Sequence, residues 1–431
     1  MKLFKSLLVA PAALGLLAPL AATATEVNLN DVSNYSQGVM DVNSKSFEPL
    51  SNKNPLFISG GEGLSTGSSS DFSDDSFNST TTLDGKAVFF TGAIDGADEI
   101  GGTETTQVGY VYQMNLNTSF TGDDNLYVRL KTGNGWSNWE SKPGTYHIES
   151  SEDGSGVAVD KIWYTLPLGE KVTFTFGPKI ENYYMLAATP SVYKPGVLKA
   201  FKLGGHGAAF GASTSTGVGL KYEFDNGFAT SVTANSKGAE GTNGFLTTED
   251  ESKVNVMVAY TKDNYHVSGT FTTQNGSWDA WEYFATQDMR INEVTHPGVE
   301  AYGYALRAWF RPDETGGAIP SISVGYDTIG FEAQNHAIAK TGNGYSVALN
   351  WQDIVQPDDR IGLAFGQPMK VTSVVQGVSR AEVDPFIWEA YYSFRPNDSI
   401  EVTPGIFGGT DVLADDQDDL FGFALTSTFK F

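Results

Sequence analysis

The sequence predicts an all-β protein, a transmembrane antiparallel β-barrel of about 16 strands with short periplasmic turns and long outer loops. Three observations predict this fold class. The chain begins with an export signal, and from about residue 84 many segments alternate apolar with polar residues. The connections between these segments alternate between short and long, as the two ends of an outer-membrane barrel do.

Residues 1–24 are predicted to be a secretory signal peptide. "MKLFK" is basic, "SLLVAPAALGLLAPLA" is apolar, and "ATA" at 22–24 fits a small-residue cleavage site. A membrane anchor is the alternative, but the apolar run is short and contains Pro11 and Pro19. No other stretch approaches about 20 consecutive apolar residues, so we expect no transmembrane helix. The chain has no cysteine, which excludes a disulfide framework.

Residues 25–82 are rich in Ser, Asn, Asp and Gly and are predicted to form a flexible N-terminal segment. Their "SGGEGLSTGSSS" stretch lacks the Gly-Lys-Ser/Thr of a phosphate-binding loop. The formal net charge of the chain is −24. This charge argues against nucleic acid as a partner, because phosphate recognition needs a basic surface.

Residues 83–431 are predicted to form the barrel. In "KVTFTFG", for example, Val172, Phe174 and Phe176 share one face, and the polar side chains between them share the other. The sixteen predicted strands lie near 86–94, 105–120, 125–133, 157–168, 171–178, 208–224, 227–236, 252–262, 265–274, 301–311, 319–328, 342–352, 359–367, 384–395, 399–408 and 419–431.

The connections predict which ends of the strands lie together. Connections such as "TGDDN", "LGE", "DNG", "KDN" and "RPND" are short and carry turn-forming residues. The connections that alternate with them are mostly longer, and 179–207 and 275–300 are the longest. Both ends of the barrel domain therefore fall on the side of the short turns.

The last strand, "LFGFALTSTFKF", alternates apolar residues and ends on Phe. In a closed barrel this strand must pair with the first one to remove both edges. We interpret Phe429 and Phe431 as part of a signal to the barrel assembly machinery.

The alternative to a membrane barrel is an exported soluble β-rich protein, either a carbohydrate-binding protein or a glycosidase. Detergent dependence and heat-modifiable gel migration would distinguish the two.

Several stretches carry a family resemblance, and these are "TEVNLNDVSNYS" at 25–36, "MNLNTSFTGDDNLYVRLKTGN" at 114–134, "WYTLPLGEKVTFTFGP" at 163–178 and "WEAYYSFRPNDSIEVTPGIFGG" at 388–409. They resemble the cyanobacterial outer-membrane porins called iron uptake porins, which are related to the carbohydrate-selective (OprB-type) porin superfamily. Family members commonly carry a surface-layer-homology segment, but 37–82 has no counterpart, which puts a peptidoglycan tether in doubt.

The resemblance implies a homotrimer in outer-membrane lipid that passes small hydrophilic solutes and inorganic ions, iron among them, by passive diffusion. A carbohydrate-selective channel is the alternative. Arg307 and Trp309 face inward in the predicted barrel and could provide stacking and hydrogen bonds for a sugar. The alternative is that Trp309 is a packing residue.

Alternation of the strands also predicts which charged residues face the lumen. The predicted wall is more basic than acidic, and comprises Arg129, Lys131, Lys161, Lys171, Lys221, Arg307, Arg311, Arg360 and Arg395 with Glu223, Asp327, Glu389 and Glu401.

The long connection 179–207 is predicted to fold into the lumen, by analogy with general porins. Its lysines, Lys179, Lys194, Lys199 and Lys202, are the predicted constriction. Basic residues at a narrow point favour anions. A loop packed at a subunit interface is the alternative.

The sequence gives no catalytic pattern. The five histidines are scattered without ligand spacing, and no Gly-x-Ser-x-Gly motif is present. Many carboxylates are available for glycoside hydrolysis, but nothing selects a pair of them. We therefore expect no catalysis, no cofactor and no metal site.

Overall fold

The computed structural model describes residues 80–96, 104–134, 156–205, 214–238, 243–275, 300–332, 339–374, 384–412 and 419–431. The predicted signal peptide and nearly all of the predicted N-terminal segment lie outside these residues. Within them, no helix has both the length and the apolar character needed to cross a bilayer.

Sixteen antiparallel strands form one closed barrel, which confirms the predicted fold class and strand number. Each strand pairs with its neighbours in the chain, and β1 also pairs with β16. The strands are β1 Thr81–Asp95, β2 Gln107–Thr118, β3 Asn125–Gly133, β4 Ala158–Leu168, β5 Val172–Ile180, β6 Ser215–Glu223, β7 Phe228–Ser236, β8 Ser252–Thr261, β9 Tyr265–Asn275, β10 Glu300–Phe310, β11 Ser321–Phe331, β12 Ala339–Gln352, β13 Arg360–Val374, β14 Phe386–Asn397, β15 Ile400–Thr410 and β16 Leu420–Lys430.

The two faces of each strand follow the alternation in the sequence. On β10, Ala305, Arg307 and Trp309 are buried and face the interior, whereas Tyr304 and Leu306 are exposed on the outer surface. Outward apolar side chains suit contact with lipid, and inward polar ones suit contact with water.

Aromatic rings form a belt on the outer surface near the short turns. Phe228 lies 4.8 Å from Tyr260, measured between ring centroids, and Tyr260 lies 6.0 Å from Tyr265. At the end of the neighbouring strand β6, the rings of Tyr222 and Phe224 are 4.6 Å apart. Such belts mark the level of the lipid headgroups, because aromatic side chains combine an apolar body with a polar edge.

A buried aspartate holds one of the short turns. The Asp124 carboxylate accepts hydrogen bonds from the backbone N–H groups of Phe120 and Thr121 at 2.9 and 2.7 Å and from the Ser119 hydroxyl at 2.8 Å. Burial alone would raise the pKa of Asp124, but the hydrogen bonds from Tyr164 and the turn lower it well below its usual range. The "TGDDN" turn is thus fixed by one carboxylate.

Phe431 takes part in the closure of the barrel between β16 and β1. Phe431 and Gly85 exchange backbone hydrogen bonds of 2.9 and 3.1 Å, and the Phe431 ring stacks on Tyr112 at 5.8 Å. The ring of Phe429 lies against Phe89 at 5.7 Å. Both predicted signal residues therefore join β16 to β1 and β2.

We predict that Phe431→Ala weakens this closure, because it removes one stacked ring and leaves the backbone pairing in place. The expected loss is about 1 kcal/mol of stability beyond the lost burial. It is measured as a lower temperature at which the folded band disappears in heat-modifiable gel migration. Phe310→Ala, which removes an exposed ring of β10 far from the seam, is the comparison, and an equal effect of both changes would contradict a special role for Phe431.

Candidate pore constriction

Residues 181–205 fold back into the barrel, and we call them the inward loop. It contains two short 3-10 helices, Asn182–Met185 and Lys199–Gly204. The backbone N–H of Ala187 donates to Ser231 on β7 at 2.9 Å, and that of Val192 donates to Ser323 on β11 at 3.1 Å. The loop therefore leaves β5 and reaches strands on other sides of the lumen.

Glu389 on β14 holds the middle of the inward loop. Its carboxylate accepts hydrogen bonds from the backbone N–H groups of Gly196, Val197 and Leu198 at 3.2, 2.9 and 2.7 Å. It also accepts one from the Tyr193 hydroxyl at 2.7 Å. Glu389 is fully buried and anchors the loop. The sequence predicts Glu389 as a charge of the pore wall, but its carboxylate is not open to the lumen.

Arg307 on β10 holds the end of the inward loop. Its guanidinium donates to the carbonyl groups of Leu203 and Gly205 at 2.9 and 2.7 Å, and to Asp327 at 2.8 Å. Gly204 between them has a φ of 73°, in the left-handed region that glycine adopts at no steric cost. Arg307 and Asp327 were predicted to line the pore, but their charges are paired with each other beneath the loop.

Apolar side chains of the loop complete this attachment. Tyr193 and Phe201 are both about 1% exposed and belong to a cluster that includes Phe90 and Phe407 of the barrel wall. Trp309 is also buried, and its indole N–H donates to the Thr189 carbonyl at 3.0 Å. Trp309 therefore packs under the loop, and its ring is not open to a passing sugar.

One end of the loop lies in a basic group of side chains, which we call the β3–β4 cluster. Arg129 and Lys161 both lie 3.5 Å from the Asp160 carboxylate, and Lys161 also pairs with Glu181 at 2.5 Å. Burial would raise the pKa of Glu181, but the positive charges of Lys161, Lys199 and Lys202 lower it to about 2. Two predicted constriction lysines, Lys199 and Lys202, thus lie within electrostatic range of the wall.

Lys199 and Lys202 differ in their access to the lumen. Lys199 is 7% exposed, whereas Lys202 is half-buried and lies over the Tyr183 ring, with its ammonium 4.7 Å from the ring centroid. Lys131, the third predicted basic residue of β3 and β4, is buried as well. Of these cations, Lys202 is the one with the most solvent contact.

A second basic group, the inner-rim cluster, surrounds Glu401 near the start of β15. Arg360, Arg395 and Lys430 lie 3.2, 3.5 and 3.0 Å from the Glu401 carboxylate. Lys194 of the inward loop faces this group, and its carbonyl accepts a hydrogen bond from the Tyr391 hydroxyl. Burial, followed by the charge of Arg360, lowers the pKa of the Lys194 ammonium to about 8.

Lys430 belongs to this cluster but is not among the residues predicted from the sequence. The signal was present, because the alternation in the last strand places Lys430 with the polar residues Thr426 and Thr428. Its partner could not be predicted, because Glu401 lies 29 residues earlier in the chain. In the inner-rim cluster, four cations face one carboxylate among the described residues.

The remaining predicted residues lie elsewhere. Lys179 is exposed, pairs in register with Ile162 on the outward face, and donates to the Val159 carbonyl at 3.0 Å. It is therefore separate from the other three lysines of the predicted constriction. The others lie near the short turns, where Lys171 pairs with Asp225, Lys221 pairs with Glu223, and Arg311 donates to the Asp263 carbonyl.

Solved structures share this architecture. The structure of Pseudomonas putida OprB at high pH superposes with a TM-score of 0.54 at 13% identity, over 82% of this chain and 95% of that one. A loop-deletion mutant of the Vibrio cholerae outer-membrane protein OmpT gives a TM-score of 0.50 at 12% identity, over 82% and 99% of the two chains. At these identities the likeness shows the fold.

Two curated cyanobacterial proteins are related in sequence, and both are named as uncharacterized. The Synechocystis protein sll0772 is 24% identical over 388 residues, which cover 78% of this chain and 66% of the relative. The Nostoc protein alr4550 is 22% identical over 392 residues, covering 82% and 66%. The chain thus spans just under two thirds of the length of these relatives.

The family comparison covers most of the chain. The model described as "Carbohydrate-selective porin, OprB family" matches residues 19–409. The description of this family is that of a channel protein. The match includes all strands from β1 to β14 and nearly all of β15, and the chain belongs to the OprB family of carbohydrate-selective porins.

Proposed function

We propose that this chain is a porin through which small hydrophilic solutes and inorganic ions diffuse, and that the inward loop gives it a preference for anions. The family and the barrel fold indicate the outer membrane as its location. One observation carries the proposal: the loop brings Lys194 to the inner-rim cluster and Lys199 and Lys202 to the β3–β4 cluster.

The physical basis is the excess of positive charge at both attachment points. A solute that passes the loop meets cations that outnumber carboxylates on each side. Rings of fixed charge near a narrow point set the ion preference of a channel, and basic rings favour anions. A unit charge about 8 Å from the ion path changes the energy of an ion by about 0.5 kcal/mol in water, and salt at about 0.1 M screens this to about half. The sign is opposite for anions and cations, so each lysine is worth roughly a twofold change in the anion-to-cation permeability ratio.

Removing two of these charges tests the proposal. In Lys194→Gln plus Lys199→Gln, we expect the anion-to-cation permeability ratio to fall roughly fourfold. The measurement is the reversal potential of single channels in a planar bilayer under a salt gradient. Lys179→Gln is the matched control, because Lys179 is exposed on the outward face. If the double variant and the control have the same reversal potential, these lysines do not set the selectivity.

The selectivity should also depend on pH. Because the pKa of Lys194 is about 8, its ammonium is charged at pH 7 and loses its proton as the pH rises towards 9. We expect the anion preference to decline over this interval, and the decline to be smaller in Lys194→Gln. Reversal potentials measured from pH 6.5 to 9.5 in both proteins give the comparison. Parallel profiles would assign the titration to another group.

A carbohydrate-selective channel is the second candidate, and the description of the matched family favours it. Added sugar would then reduce the ion conductance in a saturable way. A homotrimer and the passage of iron stay predictions of the family resemblance. Among the described residues, no three His, Asp or Glu side chains are grouped to hold a metal ion.

A further inference from the structure

A group of polar side chains on β7, β8 and β9 is left unused by the inward loop. We call Asn235, Lys253, Asn255, Thr270 and Thr272 the polar patch. All five face the interior and are at most 3% exposed. The burial is notable for Lys253, because lysine is almost never fully buried without a partner.

The strand register makes these residues neighbours. Asn235 lies directly opposite Lys253, and Asn255 lies directly opposite Thr272. Thr270 lies two positions before Thr272 on the same face of β9. Side chains directly opposite on antiparallel strands have their Cβ atoms about 5 Å apart, so one small molecule can touch several of them.

Each member of the patch has a buried polar atom without a hydrogen-bond partner in the part of the chain that the structure describes. These atoms are the Lys253 ammonium, the Oδ1 atoms of Asn235 and Asn255, and the hydroxyls of Thr270 and Thr272. A buried polar group without a partner costs about 1–3 kcal/mol, and an uncompensated charge costs more. This concentration of unsatisfied groups on three adjacent strands is what a binding site for a polar ligand requires.

Neighbouring groups are already occupied. The amide nitrogen of Asn255 donates to Thr233 at 3.3 Å, and that of Asn235 donates to the Ile180 carbonyl at 3.3 Å. The charge of Asp327 acts on Lys253, but the Asp327 carboxylate is paired with Arg307 at 2.8 Å. The positive charge of Lys253 is therefore not neutralised by a direct ion pair.

The patch lies on the outer side of the inward loop. On β8, Met257 packs with Leu186 and Ala187 of the loop, and Lys253 and Asn255 precede Met257 towards the long outer connection. Four members of the patch therefore lie between the loop contact and the long connections, and Thr270 is level with Met257.

We propose that the polar patch binds a small oxyanion that still carries a proton, such as hydrogen phosphate. The Lys253 ammonium and the two threonine hydroxyls supply donors to the negatively charged oxygens. The two Asn Oδ1 atoms accept from the O–H groups of the anion, of which monohydrogen phosphate has one and dihydrogen phosphate two, whereas a fully deprotonated anion has none. This proposal rests on the proposed anion-preferring porin. The patch would bind the anion before it reaches the constriction.

The direct test measures binding of inorganic phosphate to the refolded protein in detergent, by the broadening of the phosphorus NMR signal. We expect saturable binding that weakens about tenfold in Lys253→Met and a few-fold in Thr272→Val. Lys340→Met removes a lysine that is exposed at the outer end of β12 and should bind as the unchanged protein does. Thr272→Val keeps the charge and shape of the wall, so it tests the site even if Lys253→Met folds poorly.

Bilayer recordings separate this inference from the proposed function. Phosphate should reduce the chloride conductance of the unchanged protein and of Lys340→Met, and should do so less in Lys253→Met and Thr272→Val. Conductance with no saturable phosphate binding, or with equal binding in all variants, would overturn the site and keep the porin. Binding that depends on Lys253 in a protein without conductance would support the site and overturn the porin.

Discussion

Replacing Glu389 with alanine should release the middle of the inward loop from the barrel wall. The substitution removes the acceptor of four hydrogen bonds, three from backbone N–H groups at 196–198 and one from the Tyr193 hydroxyl. Each buried donor left without an acceptor costs about 1–3 kcal/mol. The loop backbone can satisfy these donors by moving into water.

The expected result is a larger and noisier single-channel conductance together with faster tryptic cleavage at Lys199. Lys199 is buried when the loop is attached, and trypsin needs an exposed, extended segment. The barrel strands do not depend on the four hydrogen bonds, so heat-modifiable gel migration should persist. This combination distinguishes a freed loop from a misfolded protein.

Two further variants grade this effect. Glu389→Gln keeps one oxygen acceptor and should give an intermediate phenotype. Ser231→Ala removes the acceptor of a single loop N–H, that of Ala187, and should change the conductance little. Unchanged conductance and protection in Glu389→Ala would show that apolar packing of Tyr193 and Phe201 alone fixes the loop.

The barrel could be predicted because its determinants are local. Period-2 alternation fixes the face of each residue, and turn residues fix where a strand ends. The observed β3 Asn125–Gly133 and β7 Phe228–Ser236 agree with the prediction to within one residue. The ends next to long loops were less accurate, because β13 extends to Val374, seven residues beyond its predicted end at 367. The described part of β6 begins at Ser215, and 208–213 of its predicted range lie outside the described residues.

The attachment of the inward loop was not predictable in the same way. Glu389 was selected as a charged residue of the wall, but its partners are backbone groups about 190 residues earlier in the chain. Backbone donors leave no residue-type signal. The same holds for Arg307, which donates to two carbonyl groups of the loop. Sequence alternation finds which charges face inward, and only the folded loop decides which of them remain open to the lumen.

Gly325→Ala should displace the other end of the loop. Gly325 lies on the inward face of β11, next to the loop. A Cβ atom added at this residue would be 1.9 Å from the Gly204 carbonyl oxygen. It would also be 3.0 Å from the Ser346 hydroxyl oxygen, which donates to the same carbonyl at 2.6 Å. A separation of 1.9 Å is far below van der Waals contact, so the loop backbone or the strand must move by more than 1 Å. A single glycine within a strand often marks such a close backbone approach.

The displacement should break the Ser346 hydrogen bond and the two Arg307 hydrogen bonds to Leu203 and Gly205, because each depends on the same three-residue segment. Overpacking of this kind costs about 1–3 kcal/mol, and the loop is the softer partner because β11 is paired on both sides. We therefore expect a changed single-channel conductance and faster cleavage of the loop at Lys202, with the barrel still heat-modifiable. Gly330→Ala is the matched control on the same strand, since no described atom lies within 4 Å of its added Cβ. Indistinguishable channels from the two variants would mean that the loop does not rest on β11 at Gly204, whereas an effect confined to Gly325→Ala would identify this contact as a determinant of the bore.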